Sequence, residues 1–369
     1  MPLTVRYVRA NAAQNLDGFT LANAMNINDA LRSPSGNTEY RILKDGVHVV
    51  TGSIVPTPTG LSCFFPAYYV GYSDISGLVR ADWQTTGTNE RQRIDHMPQI
   101  MFTGAVNFNN GTAQYTHFAN LVMSGRVNGT LFNHTAQNVS MSNLYAFNLS
   151  TGSSAVAIAY GFRSCLAYST CITSGILNNG IAASPANSVN NYIYKCWVSA
   201  PSGVGIYLNN DISVVDCVIE NCLRGIRNGS SSQGNGLYAG NKFINCQQYC
   251  LSQRNQSINT GVFMSYGNVA FNSGPELALV DTNGLADYTY TTGLNFSFCN
   301  NVRFNTAAAT GIGDHIQLSC VTGNASATHL FVDISGKDFR YASRATGFYN
   351  RDGAFGDGVG NAIRTPRLS

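Results

Sequence analysis

The chain has 369 residues, of which 44% are hydrophobic, 11% aromatic and only 11% charged, and its formal net charge is +3. Charged residues usually make up about 25% of a soluble domain; here Asn, Ser, Thr and 37 Gly take their place. The apolar and aromatic content excludes a disordered chain. No Lys/Arg run is present, which argues against nucleic acid or an anionic membrane as partner, and no window approaches the roughly 18 consecutive apolar residues of a membrane span.

At the N-terminus, LTVRYVRAN (residues 3–11) carries a strand signal. No charged segment leads into an apolar one there, so the expectation is synthesis in a host cytoplasm without a signal peptide. Residues 22–33, ANAMNINDALRS, are the best helix candidate, and YRILKDGVHVVTGSIV then predicts two strands around Asp45-Gly46. A strand and a short amphipathic helix suit the cap that a repeat fold needs over its open apolar end.

From about residue 100 to 325 the chain reads as strands of four to six residues separated by Gly, Asn and Ser, with almost no helical periodicity. Four segments align: YIYKCWVSA, SVVDCVIENC, LYAGNKFINC and MSYGNVAFNS. Their centres, Cys196, Cys217, Asn241 and Asn268, are separated by 21, 24 and 27 residues. Asn221, Asn245 and Asn272 form a second column, and Cys222 with Cys246 a third. A repeat of this length with short strands predicts a right-handed parallel β-helix, a solenoid whose coils stack about 4.8 Å apart. Val215, Ile219 and Phe243 are expected in the interior, and stacked Asn side chains are expected to satisfy turn backbone from coil to coil.

The ten cysteines show no CxxC pair and no Cys/His set with zinc spacing. Cys165, Cys171, Cys196, Cys217, Cys222, Cys246 and Cys250 sit inside apolar strand-like segments and are expected as reduced, buried thiols. The tail from HLFVDISGKDFRYAS to the end loses the repeat and becomes Gly-rich. The organisation expected is an N-terminal cap with the first coils (1–100), the β-helix repeats (101–325) and a closing segment (326–369) of one all-β solenoid.

Three features together resemble the pectate-lyase-like right-handed β-helix repeat proteins. The first is the opening order of YVRAN, INDAL, YRILKDGVH and YYVGYSD; the second is the set of rungs just aligned; the third is LFVDISGKDFRYAS followed by GNAIRTP. The resemblance covers most of the chain and is specific for fold, because such folds host lyases, hydrolases, adhesins and virus particle proteins alike. It implies self-association, often as a homotrimer.

For chemistry, a lyase would need a Lys or Arg base beside carboxylates. The best constellation is Lys195 with Asp216, joined by Glu220, Arg224 and Arg227 in the same coil as Asp216 and by Lys242 one coil further, read as an outer-face charged strip. Asp216 and Glu220 also meet the spacing of a glycosidase pair. A surface Lys–Asp pair is the plainer account, worth about 0–1 kcal/mol. His96, His117, His134, His315 and His329 are scattered without a nucleophile motif, and the aromatic density of CFFPAYYV (63–70) and DYTYTTGLNFSF (287–298) suits carbohydrate or protein contact. The expected function is a non-catalytic structural or adhesive component of a tailed-phage-type virus particle, as a capsid decoration or a receptor-binding fibre. Its expected partners are other virion proteins, itself and carbohydrate, with no metal or cofactor. Two alternatives stand beside it: a polysaccharide lyase or glycoside hydrolase acting through Lys195, Asp216, Glu220 and Arg224, and an extracellular bacterial surface protein.

Overall fold

The computed structural model describes residues 2–81 and 94–274, apart from breaks at 105, 108–112, 135, 151–155, 161–163, 174–175, 184–190, 209–211, 229–235, 255–261, and strand segments alone from 277 to 341. The chain is a parallel β-solenoid of short strands. Two compact units divide it, the first built from residues 1–84 and 92–185, the second principally from 186–369. None of the described helices is long and apolar enough to cross a membrane.

In the first unit, the strands Thr4–Val8, Thr38–Leu43, Ala67–Tyr72, Thr116–Gly125 and Ser140–Asn148 lie parallel and in register. Inward positions form an aromatic stack: Tyr40 on Tyr69 and Tyr69 on Phe118, each at 4.7 Å between ring centres and with nearly parallel planes. Stacked coils force like residues into van der Waals contact, so flat rings fill the column without voids. Tyr rather than Phe stands at two positions because the phenols reach the cap. Tyr69 Oη donates to Ala30 O and Tyr40 Oη to Ser33 O, both at 2.8 Å. These are carbonyls at the end of the helix Ile27–Arg32, left without intrahelical partners.

That helix is shorter than the sequence suggests. Asn26 sits in extended conformation and its side chain accepts from Asp29 N, so the helix starts at Ile27. The two strands expected around Asp45-Gly46 are Thr38–Leu43 and Val47–Val50.

In the second unit the strands Asn191–Tyr194, Ile212–Val215, Gly236–Ala239 and Val262–Tyr266 form one parallel ladder. Trp197–Ser199, Val218–Glu220, Lys242–Ile244 and Val269–Phe271 form the ladder after the turn. These registers bracket the aligned centres and place Cys196, Cys217, Asn241 and Asn268 in one column, as the repeat predicts. Cys217 N donates to Asn241 Oδ1 at 3.0 Å, Asn241 N to Asn268 Oδ1 at 2.8 Å, and Asn241 Nδ2 to Val214 O at 2.9 Å. Each Asn therefore satisfies the backbone of the coil before it. Where Cys217 replaces Asn, Cys196 N faces its sulfur at 3.4 Å, a weaker acceptor. The second column holds too: Asn221, Asn245 and Asn272 all adopt left-handed backbone, and Asn245 Nδ2 donates to Asn221 Oδ1 at 3.2 Å. Asn tolerates this conformation better than other residues with a Cβ.

One expected interior residue is placed differently. Ile219 and Phe243 are buried, but Val214 and not Val215 points inward. Counting alternation back from Cys217 passes through Asp216, whose left-handed φ of 54° breaks the period of two. Of the thiols expected to be buried, Cys165 is half-buried and the other six are buried, and none is in a disulfide. Burial holds the Cys217 and Cys222 thiols well above their ordinary range, which keeps them unreactive. In the closing segment, Phe331–Asp333 and Asp338–Tyr341 pair antiparallel. The Gly-rich end with GNAIRTP, and the side chains of His315 and His329, lie outside the described residues.

Replacing Asn241 by Ala would orphan the Cys217 N–H inside the core and remove the side-chain donor to the Val214 carbonyl. At ~1–3 kcal/mol per buried unsatisfied group, Asn241→Ala is expected to destabilise the protein by roughly 1–3 kcal/mol, read as a lowered midpoint in urea denaturation.

Candidate functional site

The charged residues singled out in the sequence lie in the second unit and do not form an exposed strip. Glu220, Arg224 and Lys242 are buried. Arg224 Nε donates to Gln248 Oε1 at 2.7 Å and its guanidinium lies 6.0 Å from the Tyr249 ring centre. Lys195 and Asp216 do come together, at successive left-handed turn positions of φ 51° and 54°. Burial raises the Asp216 carboxyl to about 6, opposed by the charges of Lys195 and Lys242. Gly240 follows in the same turn column with φ 65°, and a Cβ there would stand 2.3 Å from Asp216 Oδ1. Only Gly gives this carboxylate its space. Among the described residues, no group of three or more His, Cys, Asp or Glu could hold a metal ion.

A different place has the geometry of a site. On the outward face of the first unit, a groove of about 480 Å³ is lined by Glu39, Phe64, Tyr68, Arg80, His117 and Ser140, among others. Lys195, Asp216, Glu220 and Arg224 do not line it. Four of its side chains form one column across four parallel strands: Glu39 opposite Tyr68, Tyr68 opposite His117, and His117 opposite Ser140. Because register fixes their backbones about 4.8 Å apart, Tyr68, His117 and Ser140 meet side chain to side chain. The Tyr68 ring stacks on His117 at 5.0 Å and 22°. His117 Nδ1 lies 2.5 Å from Ser140 Oγ. Burial holds the His117 imidazole below its ordinary value, so the ring is neutral near pH 7.

At the other end of the column Glu39 is buried and fully bonded. It accepts from Tyr72 Oη at 2.7 Å, Arg41 Nε at 2.8 Å and Arg80 Nη2 at 2.9 Å. Burial alone would raise its pKa, but the hydrogen bonds from Tyr72 and Arg41 and the charges of Arg80 and Arg41 outweigh that and hold it low. Of the two arginines on this carboxylate, Arg80 lines the groove and its side chain is 55% exposed. Arg80 arrives on the loop after Tyr72, which Asp74 organises by accepting from the N–H groups of Ser76, Leu78 and Val79. Phe64, 82% exposed, presents an aromatic face in the lining of the groove. In the sequence the CFFPAYYV aromatics and His117 stand apart. The column has no regular spacing to mark it, because the chain between Tyr68 and His117 is about twice as long as that between His117 and Ser140.

No family model matches this chain, and no curated protein matches it in sequence. Solved structures do match in fold. Pectate lyase Pel9A aligns with a TM-score of 0.59 and 12% identity over 93% of this chain and 90% of that one. A rhamnogalacturonan lyase aligns at 0.42 with 10% identity over 96% and 99%. A GH136 lacto-N-biosidase from Eubacterium ramulus aligns at 0.38 with 9% identity over 87% and 67%. The Pel9A likeness establishes the fold as pectate-lyase-like parallel β-helix, and identity this low establishes nothing finer.

Asp216 also sets a pH dependence. Its carboxyl keeps a proton in the folded chain up to about pH 6, against an ordinary value of 3.8. The folded state therefore holds the extra proton, and stability from this group falls as pH rises from about 4 through 6. Asp216→Asn, which suits left-handed backbone, is expected to exceed the parent in stability by about 1–2 kcal/mol at pH 8. The gap should close below pH 4 in urea titrations of both proteins.

Proposed function

We propose that this protein is a saccharide-binding β-helix protein of the adhesive kind, which engages a glycan in the groove of its first unit. On this reading it serves a virus particle as a receptor-binding or decoration component, with other particle proteins and further copies of itself as partners. The observation that carries the binding reading is the groove itself. It combines an exposed aromatic face at Phe64, the stacked Tyr68–His117 rings and the hydrogen-bonding groups of Arg80 and Ser140. Sugar rings offer apolar C–H faces for aromatic stacking and hydroxyls for polar side chains, so a groove with both is suited to them. The low charge of the chain fits a surface that meets polar, uncharged hydroxyls.

Glycan-array screening followed by calorimetric titration tests the reading. Tyr68→Ala and Phe64→Ala should each weaken the best ligand by on the order of 1–2 kcal/mol, about tenfold in Kd, while Arg224→Ala in the second unit leaves affinity unchanged. Equal binding by the parent and both groove variants would move the site elsewhere.

A further inference from the structure

The column that builds the groove also sets a nucleophile against a base. Ser140 Oγ lies 2.5 Å from His117 Nδ1, within hydrogen-bond reach of a group able to take its proton. The His117 ring is fixed on its other side by the Tyr68 stack. Its Nε2 makes no hydrogen bond with the described residues, and both His117 and Ser140 line the groove. We propose that Ser140 and His117 are a catalytic dyad that removes ester groups, such as O-acetyl, from a saccharide held in this groove. The inference rests on the saccharide-binding reading and adds a reaction to it.

The step balances with water as the only co-reactant. Ser140 Oγ attacks the acyl carbon and its proton passes to His117 Nδ1. The bond to the sugar oxygen breaks, and that oxygen leaves as an alcohol with the proton from His117. Water then attacks the acyl–serine, gives a proton to His117, and releases the carboxylic acid as Ser140 Oγ recovers its hydrogen. The neutral state of His117 near pH 7 is the one that accepts the first proton. N–H donors that could face the acyl oxygen's developing charge, on Arg80 and Asn120, line the same groove. The plainer account is a structural Ser–His hydrogen bond between neighbouring coils. Two features separate the dyad from it: the pair stands on a groove and not in the core, and the groove carries binding groups on both sides of it.

The test uses the full chain and a fluorophosphonate probe, with peptide mapping of the labelled residue and release of acetate from peracetylated cellobiose. The expected result is a single label on Ser140 and measurable acetate release. Ser140→Ala should abolish both, and His117→Ala should slow labelling by about a hundredfold or more, with thermal unfolding confirming that each variant folds. Ser140→Cys preserves size and packing, and its thiol should be alkylated by iodoacetamide in a His117-dependent way. No label on Ser140, or a label that His117→Ala leaves unchanged, overturns the dyad. If saccharides still bind the groove in that case, the binding reading stands alone; if binding is lost as well, both fall.

Discussion

The structure depends on registry between stacked coils. Each parallel coil contributes backbone N–H and C=O groups to its neighbours, and at every turn the ladder is interrupted, leaving polar groups inside with no strand partner. The column of Cys217, Asn241 and Asn268 meets that demand. An Asn amide both accepts from the N–H of the coil before and donates to a carbonyl of the same coil, so one residue type repairs the turn on two sides. The same requirement fixes the turn conformation, because the side chain reaches the next coil only if each coil bends alike. Hence the left-handed residues recur at Asn221, Asn245 and Asn272, and at Asp216 and Gly240.

Registry also decides where charge can stand. A side chain in a column has a neighbour about 4.8 Å above and below, so an ionised group must be answered by the adjacent coils. Asp216 gains Lys195 and Lys242 but loses more to burial, and its carboxyl is displaced upward. Glu39 is the opposite case. Its three donors come from Arg41, Tyr72 and Arg80, on its own strand, the next strand and a loop, and together they overcome the cost of burial. Two carboxylates in like surroundings thus shift in opposite directions because one is hydrogen-bonded by the fold and the other is only near charge.

Much of the second unit was legible in the sequence because its coils are nearly equal in length. Separations of 21, 24 and 27 residues bring identical types, Cys and Asn, into alignment. The strands, the turn columns and the pairing Asn245 with Asn221 follow from that. Burial of Glu220, Arg224 and Lys242 did not, since a repeat gives the stacking order of side chains and says nothing of what lies over the outward face. The groove was illegible for a related reason. Glu39, Tyr68, His117 and Ser140 are four different residue types at unequal spacing, so no repeat marks them, and only the pairing of four strands brings them together.

That contrast bears on where function can arise in such a fold. Columns of like residues serve the core, where each coil has the same need, and they are the part a repeat preserves. A binding or reacting site needs different groups side by side: a stacking ring, a hydrogen-bond donor, a proton acceptor. On a parallel ladder this takes a change of residue type from coil to coil at one outward position, with a loop long enough to close the side. The first unit has both. Its outward column runs from carboxylate to phenol to imidazole to hydroxyl, and the loop carrying Arg80 folds back onto Glu39. The ladder supplies the rigidity that such groups need to hold their mutual geometry, so the departure from repetition, rather than the repeat, is where specific chemistry becomes available to this chain.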